Sequence, residues 1–286
     1  MKLLRFASIF LVLTISPAAR PEAFDLQPHT LEAFLRYARA TEAEFLEQVS
    51  SDEFLRIDYA GDFEEREEAL ATVRDGGVHT ARLKILDNGE EIEVRNGIVH
   101  HWYGAVLVPD VTLDEVLDLV KDYDTHGEVF APDVQLSETL NASVNRDVFD
   151  IRYRFLKRKL ITVVYETEHH VEYTRVGPTR AYSMSRTTKV QEVEDPDGRD
   201  ERKPPDTGRG FMWRINSYWR FDERADGVWI ESESISLTRN IPLLLRPIIG
   251  PFVNGVPKDT LTSTLEAVRN HFSESPPPDR PQPQRP

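Results

Sequence analysis

From Val134 to Thr238 the chain keeps a period of two. Phe149, Ile151, Tyr153 and Phe155 alternate with Asp150, Arg152 and Arg154, and Val163, Tyr165, Val171 and Tyr173 alternate with Glu166, Glu168 and Glu172. Later segments carry Tyr182 and Met184, then Phe211, Trp213, Ile215, Trp219 and Phe221, then the run GVWIESESISL. Successive side chains on a strand point to opposite faces, so this pattern predicts long strands with one apolar face that must be covered. The cover is supplied further on: Val256, Leu261, Leu265, Val268 and Phe272 form a helical stripe over 256–272. Many strands followed by one long helix make an α+β fold, a curved antiparallel sheet wrapped against a C-terminal helix.

Upstream of the strands, the spacing of Leu31, Phe34, Leu35, Ala38, Phe45, Leu46 and Val49 predicts a helix that starts near Pro28 and Thr30, and a shorter helix is expected over 63–73. Asn88-Gly89 and Asn96-Gly97 signal hairpin turns before the strand ending at Pro109. Thr112 and Glu115 have capping-box spacing ahead of an apolar face of Leu113, Val116, Leu117 and Val120, with Gly127 as the expected stop. The polar stretch Glu194 to Gly210 reads as a long exposed connection between strands.

The two ends differ in kind from the middle. Lys2 and Arg5, an apolar run from Phe6 to Ile15 and small residues at Ser16, Ala18 and Ala19 have the layout of a secretory signal peptide over 1–19, so an exported protein, periplasmic or secreted, is expected. Residues 273–286 hold six prolines in fourteen positions and nothing apolar, the composition of a disordered tail. A helical and hairpin accessory segment over 20–97 and a principal domain over 98–272 lie between them.

Charge and composition exclude several classes. The net charge is −14, with 49 acidic and 35 basic residues, and no basic stripe offsets it, which argues against nucleic acid. Without cysteine there is no disulfide, no thiolate metal site and no cysteine-linked lipid anchor. Glycine-rich phosphate loops, H-E-x-x-H and G-x-S-x-G are all missing, so no cofactor is expected and no catalytic residue is assigned. Neighbouring residues on a strand face opposite ways, so neither His100-His101 nor His169-His170 grips one ion; a site combining His101, His169 and a carboxylate is the remaining geometric option, and no metal is expected.

The segments HHWYGAVLVPDVTLDEVLDLVKDYD (His100 to Asp124), WRINSYWRFDE (Trp213 to Glu223) and VWIESESISLTRNIP (Val228 to Pro242) resemble the START-like, helix-grip superfamily of lipid-transfer domains, polyketide cyclases and aromatases, and plant ligand-binding proteins. The resemblance spans roughly 98–272. It implies a deep apolar cavity between sheet and final helix, holding a hydrophobic small molecule or lipid, with cyclase, dehydratase or hydrolase chemistry and a filled-core interaction module as the alternatives. Cavity candidates are Tyr165, His169, Tyr173, Tyr182, Met184, Arg186, Trp213, Ser217 and Trp219. His169 is either a hydrogen-bonded core residue or a proton-transfer group, and an inward Arg186 needs a carboxylate or an anionic ligand group. Glu231 and Glu233 on one strand face are either an acid–base couple or structural partners of Arg214 or Arg220. Asp122, Asp124 and His126 stand at the expected helix end, as an entrance or a solvated terminus.

One stretch, RNIPLLLRPIIGPFVNGVP from Arg239 to Pro257, is apolar yet broken by four prolines and two glycines. It is too interrupted for a membrane span. Its prolines predict a broken segment, not one long helix; the resemblance implies a gate over the cavity, with Leu244, Pro247, Ile248 and Phe252 as gate candidates, and the alternative is a buried lead-in to the last helix with no gating role.

Overall fold

The structure is a computed structural model describing residues 25–158, 162–194, 196, 198–240 and 246–274, with side chains in the last of these from residue 255 onward. The segments 1–19 and 275–286, including the signal-like start, lie outside the described residues, as does Leu244.

The N-terminal segment forms α1 (Pro28–Val49), a 3-10 turn at Arg56–Asp58, α2 (Phe63–Arg74), β1 (His79–Arg82) and a small hairpin of β2 (Leu86–Asp87) and β3 (Glu90–Glu91). Asn88 and Gly89 both take positive φ in the hairpin turn, the backbone that an Asn-Gly pair accepts at least cost. Next come β4 (Gly97–Pro109), α3 (Leu113–Lys121), a 3-10 turn at Tyr123–Thr125 and α4 (His126–Val129). The strands β5 (Val134–Ala142), β6 (Val148–Arg158), β7 (Thr162–Arg175), β8 (Arg180–Glu194), β9 (Glu201–Arg202), β10 (Arg214–Arg224) and β11 (Gly227–Arg239) follow, and α5 (Arg246–Glu274) ends the chain. No described helix is long and apolar enough to cross a membrane.

Eight strands run in the order β1-β4-β11-β10-β8-β7-β6-β5, and β9 folds back on β8. Each neighbouring pair is antiparallel. One face receives α5, which packs Leu261, Leu265 and Val268 with Val106, Val108, Ile230 and the apolar face of α3. The approach is close at Gly104 of β4: a Cβ there would stand 2.7 Å from Leu265. The other face is covered by α1, whose Phe34, Tyr37, Phe45 and Val49 join Tyr103, Tyr218, Trp229 and Leu237 in a second core.

Four expectations are corrected. The buried stripe of α1 runs through Thr30, Phe34, Tyr37, Ala38, Thr41, Phe45 and Val49, leaving Leu35 and Leu46 on the solvent side. The helix after the capping box stops at Lys121, six residues before Gly127, because the chain turns through the 3-10 element to bury Tyr123 and His126. The last helix starts at Arg246, not near Val256, so most of the proline-broken stretch is helical after all. Pro247 sits at its second residue, where the missing N–H is not called on, and Pro251 and Pro257 each withhold one N–H while keeping a helical φ. That helix also runs through Ser273 and Glu274, past the expected start of the tail.

Candidate ligand cavity

The faces of five strands set the chemistry of the space between sheet and α5. On β6 and β7 the inward residues include Ile151, Tyr153, Phe155, Val163, Tyr165, Val171 and Tyr173, an aromatic and aliphatic wall. On β8, β10 and β11 they include Ser183, Ser185, Ser217, Ser232, Ser234 and Ser236. Pairing puts Ser185 opposite Ser217 and Ser217 opposite Ser234, so three hydroxyls form a row across three strands. Between the two walls is a cavity of about 260 Å³, closed on further sides by Val120, Tyr123 and Phe130 and by Val256, Pro257, Thr260, Leu261 and Thr264 of α5.

The described lining holds one charged side chain, Lys157, which is paired with Asp133. No carboxylate or guanidinium is among it. The hydroxyls of Ser217, Ser232, Ser234 and Ser236 make no hydrogen bond to another described residue. These hydroxyls open onto the cavity and are not sealed in packed protein, so the wall can pair with water or with the oxygen functions of a bound molecule.

Below α3 and α4 the cavity ends in a cluster of rings. Tyr153 Oη lies 2.7 Å from His126 Nδ1, and His126 Nε2 lies 3.3 Å from the Leu119 carbonyl oxygen. Tyr123 and Tyr173 share a 2.8 Å hydrogen bond, and the Tyr173 hydroxyl donates to the Val120 carbonyl at 3.0 Å. His169, nearby, is 2.8 Å from Thr167 Oγ1 and 3.4 Å from Ser185 Oγ. Burial pushes His126 and His169 down to about 4, so both rings are uncharged at neutral pH. Burial likewise raises the phenols of Tyr123, Tyr153, Tyr165 and Tyr173 above their ordinary range.

Of the nine cavity candidates, Tyr165, His169, Tyr173, Ser217 and Trp219 stand in the wall. Tyr182, Met184, Arg186 and Trp213 do not. Tyr182, Met184 and Trp213 belong to the core under α1, and Arg186 binds Glu42 of α1 at 2.8 and 3.1 Å and Glu172 at 2.7 Å. The reason is that β8 is buried on both faces: its bulky side chains fill the space under α1 and its serines are left for the cavity. Pro247, Ile248 and Phe252 lie in α5, but their side chains, like Leu244, are outside the described part. His101 and His169 occupy opposite faces, which removes the shared metal site, and no metal-binding group of three or more ligands occurs among the described residues.

Glu231 and Glu233 also face away from the cavity. Glu231 accepts hydrogen bonds from the backbone N–H groups of Arg56 and Ile57 at 2.9 and 2.8 Å and from the Tyr103 hydroxyl at 2.5 Å, and it meets Arg220 at 3.4 Å. Glu233 is 2.7 Å from His101 Nε2 and 3.7 Å from Arg220. Glu231 thereby clasps the N-terminal segment to the sheet, and Glu233 ties together β4 and β10 beside it. Arg214 pairs instead with Asp206. His126, half of the strongest polar contact in the cavity end, stood in the sequence as a terminal residue beside exposed Asp122 and Asp124; the only signal of its burial was Tyr123 three residues earlier, on the same side of a turn.

Sheet order, a terminal helix laid across one face and a space between the two make this a helix-grip α+β fold, here with a second helical cover on the outer face. No family model and no curated protein matches the chain. Among solved structures it is similar to a fragment of a STAR-related lipid transfer protein from Xanthomonas axonopodis, with 20% identity over 68% of this chain and 98% of that one at a TM-score of 0.44. Human STARD10 gives 10% identity over 76% and 84% at 0.43, and the Zhui aromatase/cyclase of a Streptomyces species 11% over 62% and 95% at 0.42.

Proposed function

We propose that the protein is an exported binding protein that encloses one uncharged, largely apolar small molecule or single-chain lipid between its sheet and α5. The observation that carries this reading is the cavity itself: aromatic on one wall, hydroxyl-bearing on the other, and without a carboxylate or guanidinium in its described lining. Affinity would come from apolar burial, at about 25 cal/mol per Å² before association costs. At about 260 Å³ the space is at the small end of the ~300–1,000 Å³ that hold drug-sized ligands, which favours a few fused rings or one chain over a two-chain lipid.

Binding without chemistry is the better reading because no group among the described lining residues is poised for proton transfer near neutral pH. The histidines are held down at about 4 and the phenols are pushed up. The test is fluorescence titration with pyrene. Saturable binding by the wild type, lost in a folded Ser217→Trp variant that fills the space, supports the reading; binding that survives this substitution places the ligand elsewhere. A second reading, an enzyme, rests on the 2.7 Å Tyr153–His126 contact and would require turnover that vanishes in Tyr153→Phe. Export rests on the layout of residues 1–19, and N-terminal sequencing of the mature protein should begin close after Ala19; retention of Met1 would contradict it.

A further inference from the structure

The hydrogen-bond directions at the ring cluster can be worked out from atoms that have only one possible role. A backbone carbonyl only accepts, so His126 Nε2, facing the Leu119 carbonyl at 3.3 Å, carries the ring's proton. A neutral imidazole has one N–H, which leaves Nδ1 bare, and Tyr153 must donate its phenolic proton to it across 2.7 Å. The same reasoning holds next door. Tyr173 donates to the Val120 carbonyl, so in the pair with Tyr123 it accepts and Tyr123 donates. Every phenolic proton of this cluster is committed to the protein, and Ser137, the other hydroxyl beside Tyr153, gives its proton to the Tyr123 carbonyl, so what Tyr153 has left is a lone pair.

We propose that this end of the cavity selects a ligand by a hydroxyl group, an alcohol or phenol, that donates to Tyr153 Oη. The inference rests on the reading of the cavity as a site for apolar molecules and adds the polar group that such a molecule must carry. An anionic head at Tyr153 would meet lone pairs, and the one cation of the described lining, Lys157, is already paired with Asp133. A cationic head would find no carboxylate among the described lining residues. An ether or ketone, having no donor, would leave the Tyr153 lone pair unmatched. The serine row does not blur this choice, since free hydroxyls both donate and accept and so discriminate little. Tyr153 is therefore a specificity-determining residue, and His126 positions its proton.

The experiment compares hydroxypyrene, methoxypyrene, pyrene and pyrenecarboxylate on the full chain by fluorescence titration. Hydroxypyrene should bind about tenfold tighter than its methyl ether, the effect of one net hydrogen bond. Pyrenecarboxylate should bind more weakly than pyrene. In Tyr153→Phe the two neutral derivatives should come within about twofold of each other, with methoxypyrene affinity unchanged. In His126→Leu the freed phenolic proton lets Tyr153 donate, and the methyl ether should gain on hydroxypyrene; this second variant serves if Tyr153→Phe does not fold. Equal binding of the neutral pair by the wild type, a preference that survives Tyr153→Phe, or tightest binding of the carboxylate overturns the proposal. If pyrene itself does not bind, the cavity reading fails and takes this inference with it, whereas pyrene binding with no hydroxyl preference sinks the inference alone.

Discussion

At the scale of single residues, three histidines are buried in their uncharged form. His100, bonded to Thr238 at 3.0 Å, joins His126 and His169 in being held at about 4, chiefly by burial. The unfolded chain has ordinary imidazoles near 6.5, so between pH 6.5 and 4 it takes up protons that the folded chain refuses. Stability is thus greatest above about pH 6.5, falls as pH drops toward 4 and levels off below, each ring contributing at most about 3 kcal/mol. Glu231 acts in the opposite sense, since burial raises its carboxyl and its contribution is lost as pH rises through the folded value. With three rings and the lowered carboxyls of Glu168 and Glu233 on one side and the raised carboxyl of Glu231 on the other, urea denaturation should show a clearly lower midpoint at pH 4.5 than at pH 7, and His169→Asn should reduce the difference. A midpoint independent of pH would mean that these rings are not buried neutral.

The elements explain why the sheet is covered on both sides. On the inner side α5 lies so close to β4 that Gly104→Val must displace Leu265 and Leu261, and the expected loss is about 1–3 kcal/mol in denaturant titration. A neutral substitution would put the helix farther from the sheet. On the outer side the N-terminal segment is held by Glu231, which is bound at once to Arg220, Tyr103 and two backbone N–H groups of the 3-10 turn. Removing it in Glu231→Ala leaves a buried guanidinium and two amides without their acceptor, at a cost of about 3–5 kcal/mol, whereas an exposed pair such as Arg95–Glu93 should cost under about 1 kcal/mol. Equal small effects would show that the clasp is not structural. The strands, the Thr112–Glu115 capping box and the apolar stripe of the final helix were legible because periodicity and cap chemistry are local, whereas the Asp62–Glu65 capping box of α2 was not read. The inward faces of β8 and β11 were not. Tyr182 and Met184 look more core-like than Ser183 and Ser185, and only the presence of α1 on the far side sends the large residues outward. A pairing of Glu231 and Glu233 with Arg214 or Arg220 was legible from their place on the strand, but the partners of Glu231 on the 3-10 turn are more than a hundred and seventy positions away in sequence.

For the molecule as a whole, a net charge of −14 contrasts with a cavity lined by carbon and hydroxyl groups. Fold class followed from the order of strand and helix patterns, since an apolar strand face and an apolar helix stripe have few ways to cover each other. The hollow between them did not, because a tyrosine facing a packed neighbour and a tyrosine facing a cavity occupy the same place in an alternating pattern. The central claim is that this hollow holds an uncharged apolar molecule. Native mass spectrometry of the protein purified from the cells that make it, compared before and after denaturing extraction, tests that most directly. The account predicts a one-to-one adduct of a neutral, hydroxyl-bearing compound, or its appearance on incubation with hydroxypyrene, and its absence from Ser217→Trp. A bare protein mass that persists in the presence of such compounds would contradict it.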